Sequence, residues 1–323
     1  MHLDHDELAN ARALVGRYVP ATPAFEWPLL AELVGGPVVV KHENHTPTGA
    51  FKVRGGLVYL TRLRERAPHV AGIISATRGN HGQSLAFAGR ATGLSVTIVV
   101  PEGNSPAKNA LMRGFGAEVI VQGHDYQAAR EHAEELAADR GLHMVPPYDR
   151  DLVVGVATWA AELFEAEPAL DALYVPVGMG TGIAGAIAVR DLLGLRTEVV
   201  GVVAAGAPAT ARSFEAGHVV TTESARTFVD GVACRVPVDE AIEVMVKGAA
   251  RVVEVSEDAA ADAMRVLFDT THNVPEPAGA LALAGLLAER DRAEGRRSAV
   301  VQTGGNADAD LLRAVLGGAT PVA

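Results

Sequence analysis

Cysteine is almost absent. Cys234 is the single one, so no internal disulfide can form, and a reducing, cytoplasmic setting is expected. Lysine is nearly as scarce: of 28 basic residues only Lys41, Lys52, Lys108 and Lys247 are lysines. No apolar run approaches the ~20 residues that a membrane-spanning helix needs. The stretch Ser95 to Pro101 is far too short. The first residues, Met1-His2-Leu3-Asp4-His5-Asp6-Glu7, are polar and acidic, unlike a secretory signal. Positive charge is in deficit, with a formal net charge of −11. That argues against nucleic acid and anionic membrane as partners, since both need a positive face. There is no Gly-x-Ser-x-Gly, so a serine hydrolase has no anchor. His42-x-x-His45 has no Cys cluster beside it, and zinc needs three or four ligands within reach, so no metal is expected there.

What is present points to an α/β protein. The chain has 323 residues, 49% of them hydrophobic, enough for two compact domains. Short β-branched runs alternate with helical patterns. Strands are predicted at Pro37–Lys41, Gly72–Ser75, Ser95–Val100, Ala117–Val121, Leu142–Val145, Leu173–Val177, Glu198–Ala204, Arg251–Val255 and Ser298–Gln302. Helices lie between most of them, which implies right-handed βαβ units and mostly parallel sheets. Pro20, Pro23 and Pro28 force an irregular or extended path, and residues 205–235 have no clear pattern. Pro146-Pro147 marks a crossing between units. The expected division is a large domain of residues 1–70 plus 149–323 and a small domain of residues 71–148. Ligand chemistry is expected at the carboxyl ends of the strands.

Four stretches are placed to carry chemistry. Thr48-Gly49-Ala50-Phe51-Lys52-Val53-Arg54-Gly55-Gly56 sets a lysine among glycines at a helix start. A lysine amine becomes a nucleophile when burial or a nearby cation lowers its pKa, and Arg54 is the candidate cation. The plain alternative is a surface lysine on a first helical turn. Val177-Gly178-Met179-Gly180-Thr181-Gly182-Ile183 follows a strand and opens a helix, as an anion site does. Gly180 to Gly185 also matches the dinucleotide pattern G-x-G-x-x-G, but no acidic residue lies between Val199 and Phe214 to hold a ribose. A small phosphorylated cofactor fits better than a dinucleotide. Ser75 to Gln83, with Thr77, Arg78, Gly79, Asn80 and His81, suits a carboxylate, although Asn80 also makes an ordinary helix cap. Thr303 brings a hydroxyl to a strand end before Gly304-Gly305.

Together these pieces resemble the pyridoxal-phosphate enzymes of the tryptophan synthase β fold (fold type II), specifically the serine/threonine dehydratase and serine racemase group. Lys41-x-Glu43 through Lys52-x-Arg54-Gly55 resembles the family's Schiff-base motif. Gly79-Asn80-His81-Gly82-Gln83 resembles its substrate-carboxylate loop, and Gly178 to Gly182 its phosphate cup. Glu276-Pro277-Ala278-Gly279-Ala280 and Thr303-Gly304-Gly305-Asn306 resemble two later signatures. The likeness runs from about Pro20 to Val315. It implies two three-layer α/β domains, pyridoxal 5′-phosphate as cofactor, a small amino-acid substrate and a homodimer. It also implies residue roles. Lys52 holds the cofactor and is catalytic, Phe51 lies near the ring, and Asn80 bonds the ring oxygen. Gly178, Met179, Gly180, Thr181 and Gly182 bind the phosphate, and Thr303 meets the ring nitrogen. Thr77, Gly79 and His81 surround the substrate carboxylate.

The expected reaction is loss of the β-hydroxyl from a hydroxy amino acid, such as threonine, serine or 3-hydroxyaspartate, to give a 2-oxo acid and ammonia. Racemases of the group carry a serine where this chain has Arg78. A guanidinium stays protonated and cannot shuttle protons, so racemase activity is not expected. Arg78 instead suits a second anionic group on the substrate, and the plain alternative is that it turns outward to solvent or pairs with an acid of the chain. A β-replacement synthase is the other enzymatic reading, but those relatives usually lack the histidine that His81 supplies. A non-catalytic amino-acid or cofactor binder is the reading outside enzymes, and the retained Lys52 argues against it. Val203 to Ala209 lacks the acids that some relatives use for a divalent cation, so no metal is expected there either. The chain ends soon after the last motif, and no C-terminal regulatory domain is expected.

Overall fold

The strands form where β-branched runs allow both faces to be covered. In the computed structural model, which describes residues 1–322, they are Ala24–Glu26 (β1), Val38–His42 (β2), Gly72–Ala76 (β3), Ser95–Val100 (β4), Glu118–Val121 (β5), His143–Met144 (β6), Ala172–Pro176 (β7), Glu198–Ala204 (β8), Arg251–Val255 (β9) and Ser298–Gln302 (β10). Every residue of β2, β3, β7 and β10 is buried, as parallel strands with helices on both faces require. A larger sheet runs β1-β2-β10-β7-β8-β9 and a smaller one β5-β4-β3-β6. Only β1 is antiparallel, an edge strand on β2. The mixed α/β reading with mostly parallel sheets is what the structure shows.

Several helices start on side-chain caps: Asp4, Ser105, Asp125, Asp149 and Ser256 each accept a bond from a backbone N–H of the first turn. The sequence reading missed the helix Pro28–Val34 and its αL cap Gly35. It also missed Ala209–Ala216, Arg290–Ala293 and Ala309–Leu316. Each is short or follows a proline-rich or alanine-rich stretch with little periodicity.

Three parallel strands side by side, β2, β10 and β7, bring their carboxyl ends to one edge. The chain leaving β10 is stitched to the segment before Lys52. Phe51 N donates to Thr303 O at 3.0 Å, Gly305 N donates to Gly49 O at 2.9 Å, and Ala50 forms a bridge with Gly304. The helix Lys52–Arg66 then runs between the helices Asn80–Thr92 and Arg150–Ala166. Gly56 and Gly155 explain the closeness: a Cβ on Gly56 would collide with Ser84 Oγ, and one on Gly155 with Arg54 O. Ser84 Oγ also donates to Lys52 O at 2.6 Å.

Arg54 is not the cation beside Lys52 that its position in the sequence suggested. Its guanidinium is 0% exposed and is gripped by two carboxylates. Nε and Nη2 donate to Glu43 at 2.8 and 2.9 Å, and Nη1 and Nη2 donate to Glu162 at 2.6 and 2.9 Å. Lys41 Nζ completes the cluster, donating to Glu162 at 2.6 Å and to Thr22 O at 2.8 Å. Removing one partner from such a cluster leaves a buried charge unmatched. Arg54→Met is therefore expected to destabilise the fold by ~3–5 kcal/mol, read as a lowered urea midpoint. An unchanged midpoint would show that the cluster contributes nothing to stability.

Candidate active site

A cavity of about 220 Å³ opens where these strand ends meet. All the residues given a cofactor or substrate role in the sequence line it. Phe51 and Lys52 come from the start of their helix, and Thr77, Arg78, Gly79, Asn80 and His81 from the turn after β3. Gly178, Met179, Gly180, Thr181 and Gly182 follow β7, and Thr303 follows β10. The structure thus gathers segments spread over some 250 positions of the chain into one cleft.

Lys52 Nζ lies 5.0 Å from the centroid of the Phe51 ring. Burial pulls its ammonium down to about 8, against a raising effect from Glu276. Burial alone is the activating cause, with no help from Arg54. His81 is depressed to about 3, first by burial and then by the charge of Lys52, so its ring is neutral at ordinary pH. Its Nε2 is buried without a partner. Asn80 Nδ2 donates to Glu276 Oε1 at 2.6 Å, and Asn80 Oδ1 accepts from Asn306 Nδ2 at 2.8 Å. Arg78 lines the cavity yet is exposed.

Other lining residues carried no role in the sequence reading. Lys108 Nζ donates to Asp230 Oδ2 at 2.6 Å across the cleft. Burial pulls Lys108 down, but Asp230 and Glu276 outweigh it and leave it raised. In the sequence Glu276 stands out only as part of the motif Glu276-Pro277-Ala278-Gly279-Ala280. Burial pushes its carboxyl up to about 7. The scarcity of lysine was the signal that could have flagged Lys108. Cys234 also lines the cavity, with burial raising its thiol to about 11, which makes it inert.

The histidine pair outside the cavity is engaged elsewhere. Trp27 Nε1 donates to His42 Nε2 at 3.1 Å, and His45 Nε2 lies 2.6 Å from Asn273 Oδ1. Among the described residues no group of three or more His, Cys, Asp or Glu is arranged to hold a metal ion. No helix among them is long and apolar enough to cross a membrane.

The glycine turn fits a phosphate. Gly180 caps the helix Thr181–Leu192 with φ 95° and offers no side chain to the first amides, which stay free for an anion. A Cβ on Gly178 would sit 2.7 Å from Gly231 O, and one on Gly180 would sit 2.7 Å from Ala241 Cβ. Gly185, third glycine of the dinucleotide-like pattern, is used for packing: its Cβ would lie 3.1 Å from Ala157 Cα. An amine lowered by burial, an anion cradle and a loop of amide, hydroxyl and neutral imidazole donors suit an amine-reactive phosphorylated cofactor with a carboxylate substrate.

Comparison with known proteins agrees. Residues 16–304 match the family described as pyridoxal-phosphate dependent enzyme, and the chain belongs to that family. Pyridoxal phosphate is therefore its cofactor. The chain is 34% identical over 310 residues to the biosynthetic L-threonine dehydratase of Salmonella typhimurium, covering 95% of this chain and 60% of that one. It is 31% identical over 315 residues to the L-threo-3-hydroxyaspartate ammonia-lyase of Pseudomonas sp., covering 97% and 98%. Its fold matches the structure of maize serine racemase with a TM-score of 0.90 at 25% identity, covering 97% and 96%. The chain thus spans about 60% of the length of the Salmonella enzyme.

Two outcomes follow from the geometry. If Lys52 is the amine that takes the cofactor covalently, uptake by the cofactor-free chain needs its neutral form. Its rate is expected to rise about tenfold per pH unit below pH 8 and to level off above it. A rise that continues past pH 10 would mean that the amine keeps its ordinary pKa of 10.5. Gly180→Ala strains a backbone at φ 95° and crowds Ala241. It should weaken cofactor binding by about tenfold or more in an equilibrium titration, and an unchanged affinity would remove Gly180 from the phosphate site.

Proposed function

We propose that the protein is an ammonia-lyase, eliminating the β-hydroxyl of a hydroxy amino acid such as threonine, serine or 3-hydroxyaspartate to give a 2-oxo acid and ammonia. The observation that carries this reading is a half-buried Lys52, its pKa lowered by desolvation, sharing one cavity with a side-chain-free helix start. The names of the Salmonella and Pseudomonas relatives support it. When bound, pyridoxal phosphate supplies the electron sink for the substrate α-carbon.

The chain's own residues supply geometry and proton handling. Lys52 would secure the cofactor and is the amine placed to take the substrate α-proton. Phe51 would pack against the ring. The free amides of Gly178, Met179, Gly180, Thr181 and Gly182 would hold the phosphate. Asn80 would donate to the ring oxygen. Thr303 would meet the ring nitrogen with a hydroxyl, which would not keep that nitrogen protonated as a carboxylate would, and the milder sink would favour β-elimination. Thr77, Gly79 and neutral His81 would hold the substrate carboxylate, and the unpartnered Nε2 of His81, in the tautomer that carries its proton there, is the donor available for it. Arg78, exposed at the cavity while Asp230 is already taken by Lys108, is free to pair with a second acidic group on the substrate.

Racemisation is the second reading, favoured by the fold match to maize serine racemase. It is disfavoured by Arg78, which cannot exchange protons at working pH. A β-replacement synthase is disfavoured by the retained His81. A homodimer in the cytoplasm belongs to this proposal. So does the division into residues 1–70 plus 149–323 and 71–148, which follows the two sheets.

The test is a 2-oxo acid assay on threonine, serine and 3-hydroxyaspartate. Lys52→Ala should abolish both turnover and the visible absorbance of the loaded enzyme. Arg78→Ala should lower kcat/KM on 3-hydroxyaspartate by about tenfold or more, the worth of a charged bidentate contact, while changing threonine little. Equal losses on all three substrates would reject the second-anion role, and absence of any 2-oxo acid would reject the lyase reading.

A further inference from the structure

Two carboxylates face the cavity, and Lys108 pairs with only one of them, Asp230. The other, Glu276, is 3% exposed. It occupies the N-cap of the helix Pro277–Ala288, where an acidic side chain usually turns back onto the first amides, yet it makes no such bond. Its Oε1 accepts from Asn80 Nδ2 at 2.6 Å instead. Gly304 makes room for it, since a Cβ there would collide with that same oxygen.

The far end of the Asn80 amide is held just as firmly. Asn306 Nδ2 donates to Asn80 Oδ1 at 2.8 Å and to Thr48 O at 2.8 Å. Turning the Asn80 amide over would set oxygen against the Glu276 carboxylate and N–H₂ against the N–H₂ of Asn306. The amide therefore has one orientation. An amide nitrogen carries two hydrogens. Glu276 takes one of those on Asn80, and the second is left for a ligand in the cavity.

We propose that Glu276 is a positioning residue: acting through Asn80, it aims the second amide hydrogen at the ring oxygen of bound pyridoxal phosphate, and its own proton sets how strongly that hydrogen is donated. The inference rests on the reading of Asn80 as the donor to that oxygen, and not on the lyase reading. An ionised Glu276 pulls on one N–H of Asn80 and holds the amide tightly. A protonated Glu276 accepts more weakly and loosens it.

The groups around Glu276 place this change near neutrality. Burial is the largest effect and favours the protonated form, as does Asp230 from the turn Asp230–Val232. Lys108 from the helix Pro106–Gly114, the bond from Asn80 and the charge of Lys52 favour ionisation. The balance leaves the carboxyl at about 7, so it is neutral below that pH and charged above it.

The experiment is a pH titration of the absorbance and fluorescence of the cofactor-loaded enzyme without substrate. Wild type is expected to show a transition with a midpoint of about 7. Glu276→Gln keeps an acceptor for Asn80 but cannot ionise, so it should load the cofactor and show no transition over the same range. Asn80→Ala, with Glu276 intact, should also lose the transition. A wild-type enzyme without a transition, or a Glu276→Gln variant that retains it, overturns the proposal. A transition that survives in Asn80→Ala but not in Glu276→Gln would show Glu276 acting directly and overturn its action through Asn80. An Asn80→Ala enzyme with unchanged spectrum and cofactor affinity at every pH would refute the reading of Asn80 itself.

Discussion

Two carboxylates, one buried and one half-buried, close on one buried guanidinium and hold the first turn of the helix Lys52–Arg66 in place. Glu43 comes from the turn after β2, and Glu162 from the helix Arg150–Ala166. With Lys41 they make a charge-balanced set of two cations and two anions. Burying such a set is costly, and an apolar replacement is often no less stable. Its value lies in direction. A guanidinium bonded on both edges permits little rotation of the turn that carries it, and Lys52 is two residues away. The bridge between Ala50 and Gly304 fixes the same segment from the side of β10.

The cleft follows from that anchoring and from sheet geometry. Parallel strands deliver their carboxyl ends to one edge, so the turns after β3, β7 and β10 all reach the cavity that Lys52 enters. Burial then sets the chemistry. It lowers the lysine, keeps His81 neutral and raises Glu276, and each shift has desolvation as its largest cause. The few fixed charges, Lys108 on Asp230 among them, adjust these values without reversing them.

The alternation of strands and helices could be read directly because period and turn residues agreed, and Ser95–Val100, Glu198–Ala204 and Ser298–Gln302 match residue for residue. Pro28–Val34 and Ala209–Ala216 escaped because proline and alanine-rich composition hides a short helix. The glycine and asparagine stretches could be found because backbone approach to a ligand demands those residue types. Electrostatic roles could not. Arg54 lies next to Lys52 in sequence, yet its partners lie 11 and 108 residues away. Lys108, Asp230 and Glu276 meet only in three dimensions, and no local pattern records that meeting.

The central claim is that one amine of four carries the cofactor. Borohydride reduction of the loaded enzyme, followed by digestion and mass spectrometry of the peptides, would show which. The account predicts a single stable adduct on the peptide containing Lys52. An adduct on Lys108, the other lysine lining the cavity, or on Lys41 or Lys247, or no adduct at all, would contradict it.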